Sequence, residues 1–192
     1  MSSNDERWRE DVATLRQAAE ELVRRRALAK PNLIKLVNGP FDEIAQSLDD
    51  PSAEIRKKAV RELYELDPDQ AATLVNDALR AGSPDERRRI GNALADSGLL
   101  YEAIDDLRGE NHESCYGAFS LLFLVAKAGV VEPLTSVIEK NPSLDLSLAI
   151  IRLLASSGEP EVVPALRKLA SDTSLAPELC SAAAEAIAQI TA

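Results

Sequence analysis

The sequence predicts an all-α protein, an α-solenoid of stacked antiparallel helix pairs. Three observations carry that expectation. The 192 residues are 45% apolar but only 4% aromatic, and the apolar set is mostly Ala and Leu, strong helix formers that let helices approach closely. Apolar residues recur at steps of three and four between short polar breaks, the period of one helix face. Those breaks recur at a near-constant distance along the chain, the mark of a stacked repeat.

Residues 1–40 read as an N-terminal capping helix and a degenerate first repeat. Asn4 to Lys30 is predicted as one long helix, with Trp8, Val12, Leu15, Ala19 and Leu22 on a narrow seam. Such a seam either lies across the open end of a helical stack or forms half of a coiled coil. Pro31-Asn32 ends it, and Leu33, Ile34, Leu36 and Val37 make a short second helix before Asn38-Gly39-Pro40. In Leu48–Leu63, Asp49 or Asp50 caps a helix with Pro51 in its first turn. Ile55, Ala59, Leu63 and Leu66 form its apolar stripe, and Arg56, Lys57 and Arg61 fall outside. Asp67-Pro68 stops it. Helices are predicted over Asp69–Ala81 and Glu86–Asp96, with Gly82-Ser83-Pro84-Asp85-Glu86 as the turn and cap between them. A last helix, about Pro177 to Ile190, carries the stripe Leu179, Ala183, Ile187, Ile190 among further alanines. Its charge-poor surface suits a second subunit, a continuing array, or an Ala-rich helix tolerated in water.

Three rulers agree on the period. Asp67, Gly98, Gly129 and Gly158 each end a second helix, at intervals of 31, 31 and 29 residues. Leu48, Leu79, Leu107, Ile138 and Leu169 mark first helices at intervals of 31, 28, 31 and 31, and Pro133 and Pro164 are 31 apart. The five units are 41–67, 68–98, 99–129, 130–158 and 159–192. One helix pair cannot bury its own stripe, so the units stack.

The stretches LDDPSAEIRKKAVREL (Leu48–Leu63) and EPEVVPALRKLASD (Glu159–Asp172) resemble the second- and first-helix patterns of HEAT repeats. They are similar in particular to the HEAT-like repeats of phycobilisome lyase subunits. The Asp-Pro turn, the Ile-Arg pair and the Val-Pro-x-Leu-x-x-Leu run carry the resemblance, which spans about residues 41–192. It implies a HEAT-like superhelix and leaves function open, because such repeats serve many roles. The third unit departs from the pattern: NHESCYGAFSLLFLVAKAG (Asn111–Gly129) lacks the Asp-Pro turn and the Arg. Tetratricopeptide repeats have a period of about 34 and a Trp-Leu-Gly-Tyr signature, and that signature is missing here.

A formal net charge of −10 argues against general nucleic-acid binding, since phosphates meet a repulsive field. HEAT-like DNA glycosylases use a strongly basic concave face, which this acidic chain does not match. Cys115 and Cys180 lie far apart inside apolar helical stretches and are expected as buried reduced thiols, with no metal-ligand spacing. The single histidine, His112, resembles the HEAT-like di-iron enzyme deoxyhypusine hydroxylase only at the pair His112-Glu113, and one pair cannot build a di-iron site. Asn111 instead reads as a helix cap with His112 in the first turn. Cys115 shares a helix face with His112, but no combined acid-plus-oxyanion context can be read around them. No catalytic residue, metal or cofactor is therefore expected. The acidic start Met1–Glu6 is unlike a signal peptide, and the apolar run Ala118–Ala126 is too short for a bilayer span. A cytoplasmic location without membrane insertion is expected.

One constellation stands out. Arg56, Lys57 and Lys58 align with Arg87, Arg88 and Arg89 at the 31-residue period, with Arg61 one turn below. On neighbouring second helices these make a basic ridge, with Arg56, Lys57, Arg61, Arg87 and Arg88 as the expected docking residues for an acidic or phosphorylated peptide. The competing expectation pairs Arg56 and Arg87 with nearby acids such as Glu54, Asp85 and Glu86. The function expected is a non-catalytic protein-binding scaffold using its concave face, with self-association through the Trp8 helix or the C-terminal helix as a further partner mode. The family resemblance implies a second reading, a subunit of a phycobilin lyase-type system. A third is a cytosolic interaction module of a larger membrane-attached protein.

Overall fold

The computed structural model describes residues 40–108, 112–140 and 143–191, without the side chains of Pro40 and residues 112–114. Among the described residues the chain is all-α and has no strand. The capping helix and Trp8 seam expected over residues 1–39 lie outside them. Ten α-helices follow one another across short turns: α1 (Pro40–Ala45), continued by a 3-10 turn over Gln46–Asp49, then α2 (Ala53–Leu66), α3 (Pro68–Ala81), α4 (Pro84–Asp96), α5 (Leu99–Asp106), α6 (His112–Lys127), α7 (Glu132–Lys140), α8 (Leu144–Ser157), α9 (Val163–Ser171) after a 3-10 turn at Pro160–Val162, and α10 (Pro177–Thr191). No described helix is long and apolar enough to cross a membrane.

Local chemistry sets the helix ends. Asp67 closes α2 in an extended conformation and opens α3, its carboxylate accepting from the amides of Asp69 and Gln70 at 3.1 and 3.0 Å. Pro68 then occupies the first turn, where its missing N–H costs nothing. Ser83 and Glu86 form a reciprocal capping box on α4: Glu86 N donates to Ser83 Oγ, and Ser83 N donates to Glu86 Oε2 at 2.6 Å. After α6, Val130 N reaches back to Val125 O and Gly129 N to Ala126 O, with Gly129 at φ 74°, a Schellman ending that favours glycine. Gly98 and Gly158 also have positive φ.

The even-numbered helices form a continuous row, with α2 against α4, α4 against α6, α6 against α8 and α8 against α10. Each odd-numbered helix packs on the even one that follows it. Equivalent positions of the even helices carry the row. The seventh residues, Ala59, Ile90, Ala118, Ile150 and Ala183, are all buried. So are the eleventh residues of the first four, Leu63, Leu94, Leu122 and Leu154, with no exposed surface. One hydrophobic cluster runs through them.

Two stripes differ from the sequence expectation. In α2 the buried face is Arg56, Ala59, Val60 and Leu63, while Ile55 and Leu66 are 45% and 54% exposed. Both α3 and α4 press on α2, so its buried arc is turned by one residue toward Arg56 and Val60. In α10 the buried set is Leu179, Ala182, Ala183 and Ala186; Ile187 and Ile190 are half-buried. Small alanines let α8 and α9 approach α10 closely from two sides, which displaces the larger residues to the rim.

The row is not uniform. Arg89 of α4 reaches Asp49 before α2 at 2.7 Å, and a β-carbon on Gly98, just past α4, would lie 3.7 Å from Arg61 of α2. So α2 and α4 lie start to start and end to end. α6 and α8 also end together, with Gly129 beside Glu161. Between these pairs, however, the end of α6 meets the start of α4: Pro84, Arg87 and Arg88 share a small cleft with Lys127, Ala128 and Gly129. Gly91 makes that contact. A β-carbon there would overlap Ala128 Cβ and sit 2.7 Å from Val130 Cγ2. Gly91→Ala is therefore expected to destabilise the protein by about 1–3 kcal/mol through overpacking. Gly117→Ala, where no atom lies within 4 Å, is expected to stabilise it by roughly 0.5–1 kcal/mol through helix propensity. Chemical denaturation of the two variants checks both signs.

Candidate functional site

The basic residues of α2 and α4 are placed by the helix starts just described, but they are not presented together. Arg56 is only 8% exposed. Its stem packs in the α2 core stripe, and Nη1 donates to the carbonyls of Asp50 and Pro51, the latter at 3.0 Å. It closes the turn into α2 and is not offered to a partner. Lys57 pairs with Glu54 at 2.6 Å. Arg61 donates through Nε to Glu65 at 2.7 Å and through Nη1 to Glu102 of α5; these two carboxylates hold its guanidinium pKa above its ordinary value. Arg87 pairs with Glu159, beyond α8, at 3.3 Å, with both side chains largely shielded. Arg88 is exposed and lines the cleft with Lys127, Glu159 and Glu161. Lys58 and Arg89, which flank the set, pair with Glu62 and Asp49.

Arg56, Lys57, Arg61 and Arg87 thus point at different acceptors rather than forming one open ridge with Arg88. The local acid Glu54 takes Lys57, whereas Arg56 finds carbonyls and Arg61 and Arg87 find acids 41 and 72 residues away. Exposed ion pairs are worth about 0–1 kcal/mol, so Lys57 and Arg61 remain open to a competing acidic partner, as does Arg88.

A second surface was not legible from the basic pattern. Among the described residues there are six Phe and Tyr, and three of them are exposed: Tyr101 at 64%, Tyr116 at 56% and Phe119 at 38%. All three lie on the α5–α6 pair, where Tyr116 and Phe119 are one turn apart. Further along α6, Lys127 Nζ sits 5.9 Å from the Phe123 ring centroid and donates to Asn76 of α3. Tyr64 behaves oppositely: its hydroxyl is buried without a partner, and burial pushes its pKa well above the ordinary tyrosine range. The available signal was composition. In a core built from Leu and Ala, an aromatic pair in α6 is unusual, but the apolar run around it reads as buried.

Cys115 and Cys180 are half-buried rather than buried. Each is the fourth residue of its helix, and each thiol donates to a carbonyl at the end of the preceding helix, Asp106 at 3.6 Å and Asp172 at 3.3 Å. Arg56 occupies the same fourth position of α2 and makes the same kind of contact to its own turn. His112 begins α6, and its side chain lies outside the described residues. Among the described residues no three His, Cys, Asp or Glu side chains converge as a metal site.

No protein-family model matches this chain, and none of the curated proteins compared with it matches either.

Two outcomes follow from this geometry. Arg56→Ala leaves two turn carbonyls without their donor and is expected to cost about 1–3 kcal/mol, whereas Arg88→Ala should stay within about 0.5 kcal/mol of wild type; urea unfolding distinguishes them. The capping bonds from the Ser83 amide and hydroxyl hold the Glu86 carboxyl below its ordinary value. Its folded pKa is lowered, so Glu86 contributes stability above the unfolded value and loses it as pH falls through the folded one. An NMR titration should place the Glu86 midpoint below that of an ordinary glutamate, and Glu86→Gln should flatten the acid limb of stability in that window.

Proposed function

We propose that this protein is a HEAT-like α-solenoid of five helix pairs acting as a non-catalytic protein-binding scaffold, with the regular stack turning over between its second and third pairs. The observation that carries the reading is the exposure of Tyr101, Tyr116 and Phe119 on one helix pair. Exposed aromatics cost solvation and are enriched where proteins bury surface on one another. Cations that bind only weakly to their own acids supply the polar rim, and here Lys57, Arg61 and Arg88 fit that role. Arg56 and Arg87 support the scaffold from within. An acidic or phosphorylated segment with an apolar anchor is the partner class that fits both features. Electrostatics would set its orientation and rate, and the aromatics most of its affinity. No bond-making step enters this reading.

The test is affinity capture from native lysate with wild type, a Tyr101→Ser/Tyr116→Ser/Phe119→Ser variant and an Arg61→Glu/Arg88→Glu variant, each checked for helicity. The reading predicts one partner held by wild type, lost from the aromatic variant and weakened in the charge variant. A partner retained equally by all three removes the α5–α6 surface from consideration.

A further inference from the structure

The last two helix pairs border a cavity of about 250 Å³. It lies between the end of α7, the start of α8 and the turn that leads into α10. Ile138, Leu144, Leu175 and Leu179 give it an apolar wall. Ser147 lies at its floor: the residue is 1% exposed, and its hydroxyl is buried without a hydrogen-bond partner. Two comparisons within the chain set this hydroxyl apart. Thr73, Ser156, Ser171 and Thr191 each return the hydroxyl to a carbonyl about one turn back in their own helix, and Ser147 does not. At the fourth position of α2, α6 and α10, Arg56, Cys115 and Cys180 donate to a carbonyl that precedes their helix. Ser147 is the fourth residue of α8 and makes no such bond. A buried polar group left unpaired is a costly exception, and a molecule bound in the cavity would remove it.

We infer that this cavity binds a small neutral molecule with an apolar body and one hydroxyl or carbonyl oxygen, which accepts a hydrogen bond from Ser147 Oγ. Size, charge and polarity select that class. An apolar cavity of about 150 Å³ holds benzene, so this one suits a single ring with a short substituent. Among the described residues, Glu139 is the one charged side chain on the wall, and Lys168 holds its carboxylate at 2.7 Å. Neither an anion nor a cation meets an unpaired counter-charge there. α8 and α10 both begin at the cavity, and the positive ends of their dipoles favour an electron-rich ligand oxygen. The site uses neither α5 nor α6 and stands or falls without partner binding on that surface.

Benzyl alcohol is the probe, with toluene as its apolar counterpart, titrated into the full chain and followed by amide NMR. Benzyl alcohol should bind saturably, on the order of millimolar or tighter for so few atoms. The amides that shift should be those around Ile138, Ser147 and Leu175. Ser147→Ala should weaken benzyl alcohol by roughly 3- to 10-fold and leave toluene unchanged. The same variant should melt no lower than wild type, since it removes only an unpaired hydroxyl. Ala176→Leu fills the cavity from the α10 side and should abolish binding of both probes with helicity retained. If Ala176→Leu fails to fold, the contrast between the two probes in Ser147→Ala still decides. Shifts that do not saturate, shifts scattered over the surface, or benzyl alcohol binding indifferent to Ser147→Ala overturn the inference. Absence of binding by either probe also overturns it, leaving the cavity to water.

Discussion

Leu63, Leu94, Leu122 and Leu154 hold this protein together. Each sits at the eleventh position of an even-numbered helix, and each is fully removed from water. A buried leucine contributes roughly 1.5–3 kcal/mol, comparable in sum to the whole net stability of an ordinary domain. The seventh residues, small or β-branched, complete the seam and fix how closely neighbouring helices approach. Everything else in the fold is placed by this row. Each odd helix packs on the even helix that follows it, and the residues on the free flanks become the surface available for recognition.

The row tolerates one irregularity because a single residue there is glycine. At Gly91 the end of α6 comes down on α4, where Ala128 and Val130 occupy the space a side chain would need. At this junction α6 packs on both α3 and α4. The same junction carries the Arg87–Glu159 bridge, whereas the exposed Tyr116 and Phe119 lie nearer the opposite end of α6.

Among the described residues, charge ties distant segments together as well as neighbouring turns of one helix. With 32 acids to 22 Lys and Arg, five of the seven cations on α2 and α4 pair with a carboxylate. Arg61 joins α2 to α5, Arg87 joins α4 to the start of the fifth pair, and Arg89 joins α4 to the turn before α2. These contacts are individually weak in water. Their value lies in orientation, since each links helices that the leucine row already brings together.

Among the described residues, the sequence by itself determined the all-α class and where helices start and stop. Asp67-Pro68, Ser83 with Glu86, and the glycines 98, 129 and 158 act through hydrogen bonds and backbone preferences spanning only a few residues, so their effect is readable locally. Which face of each helix is buried was only partly legible: Ala59 and Leu63 were readable in α2, but Arg56 and Val60 replaced Ile55 and Leu66. Only the tertiary structure decided that, along with the acids opposite Arg61 and Arg87, the meeting of α6 with α4, and the exposure of Tyr116 and Phe119. These depend on the combined packing of helices far apart in the chain. A periodic pattern carries no record of which neighbour presses from which side, so the basic alignment of α2 and α4 and its pairing with acids were expected from the sequence, while the actual partners, turn carbonyls for Arg56 and Glu159 for Arg87, were not.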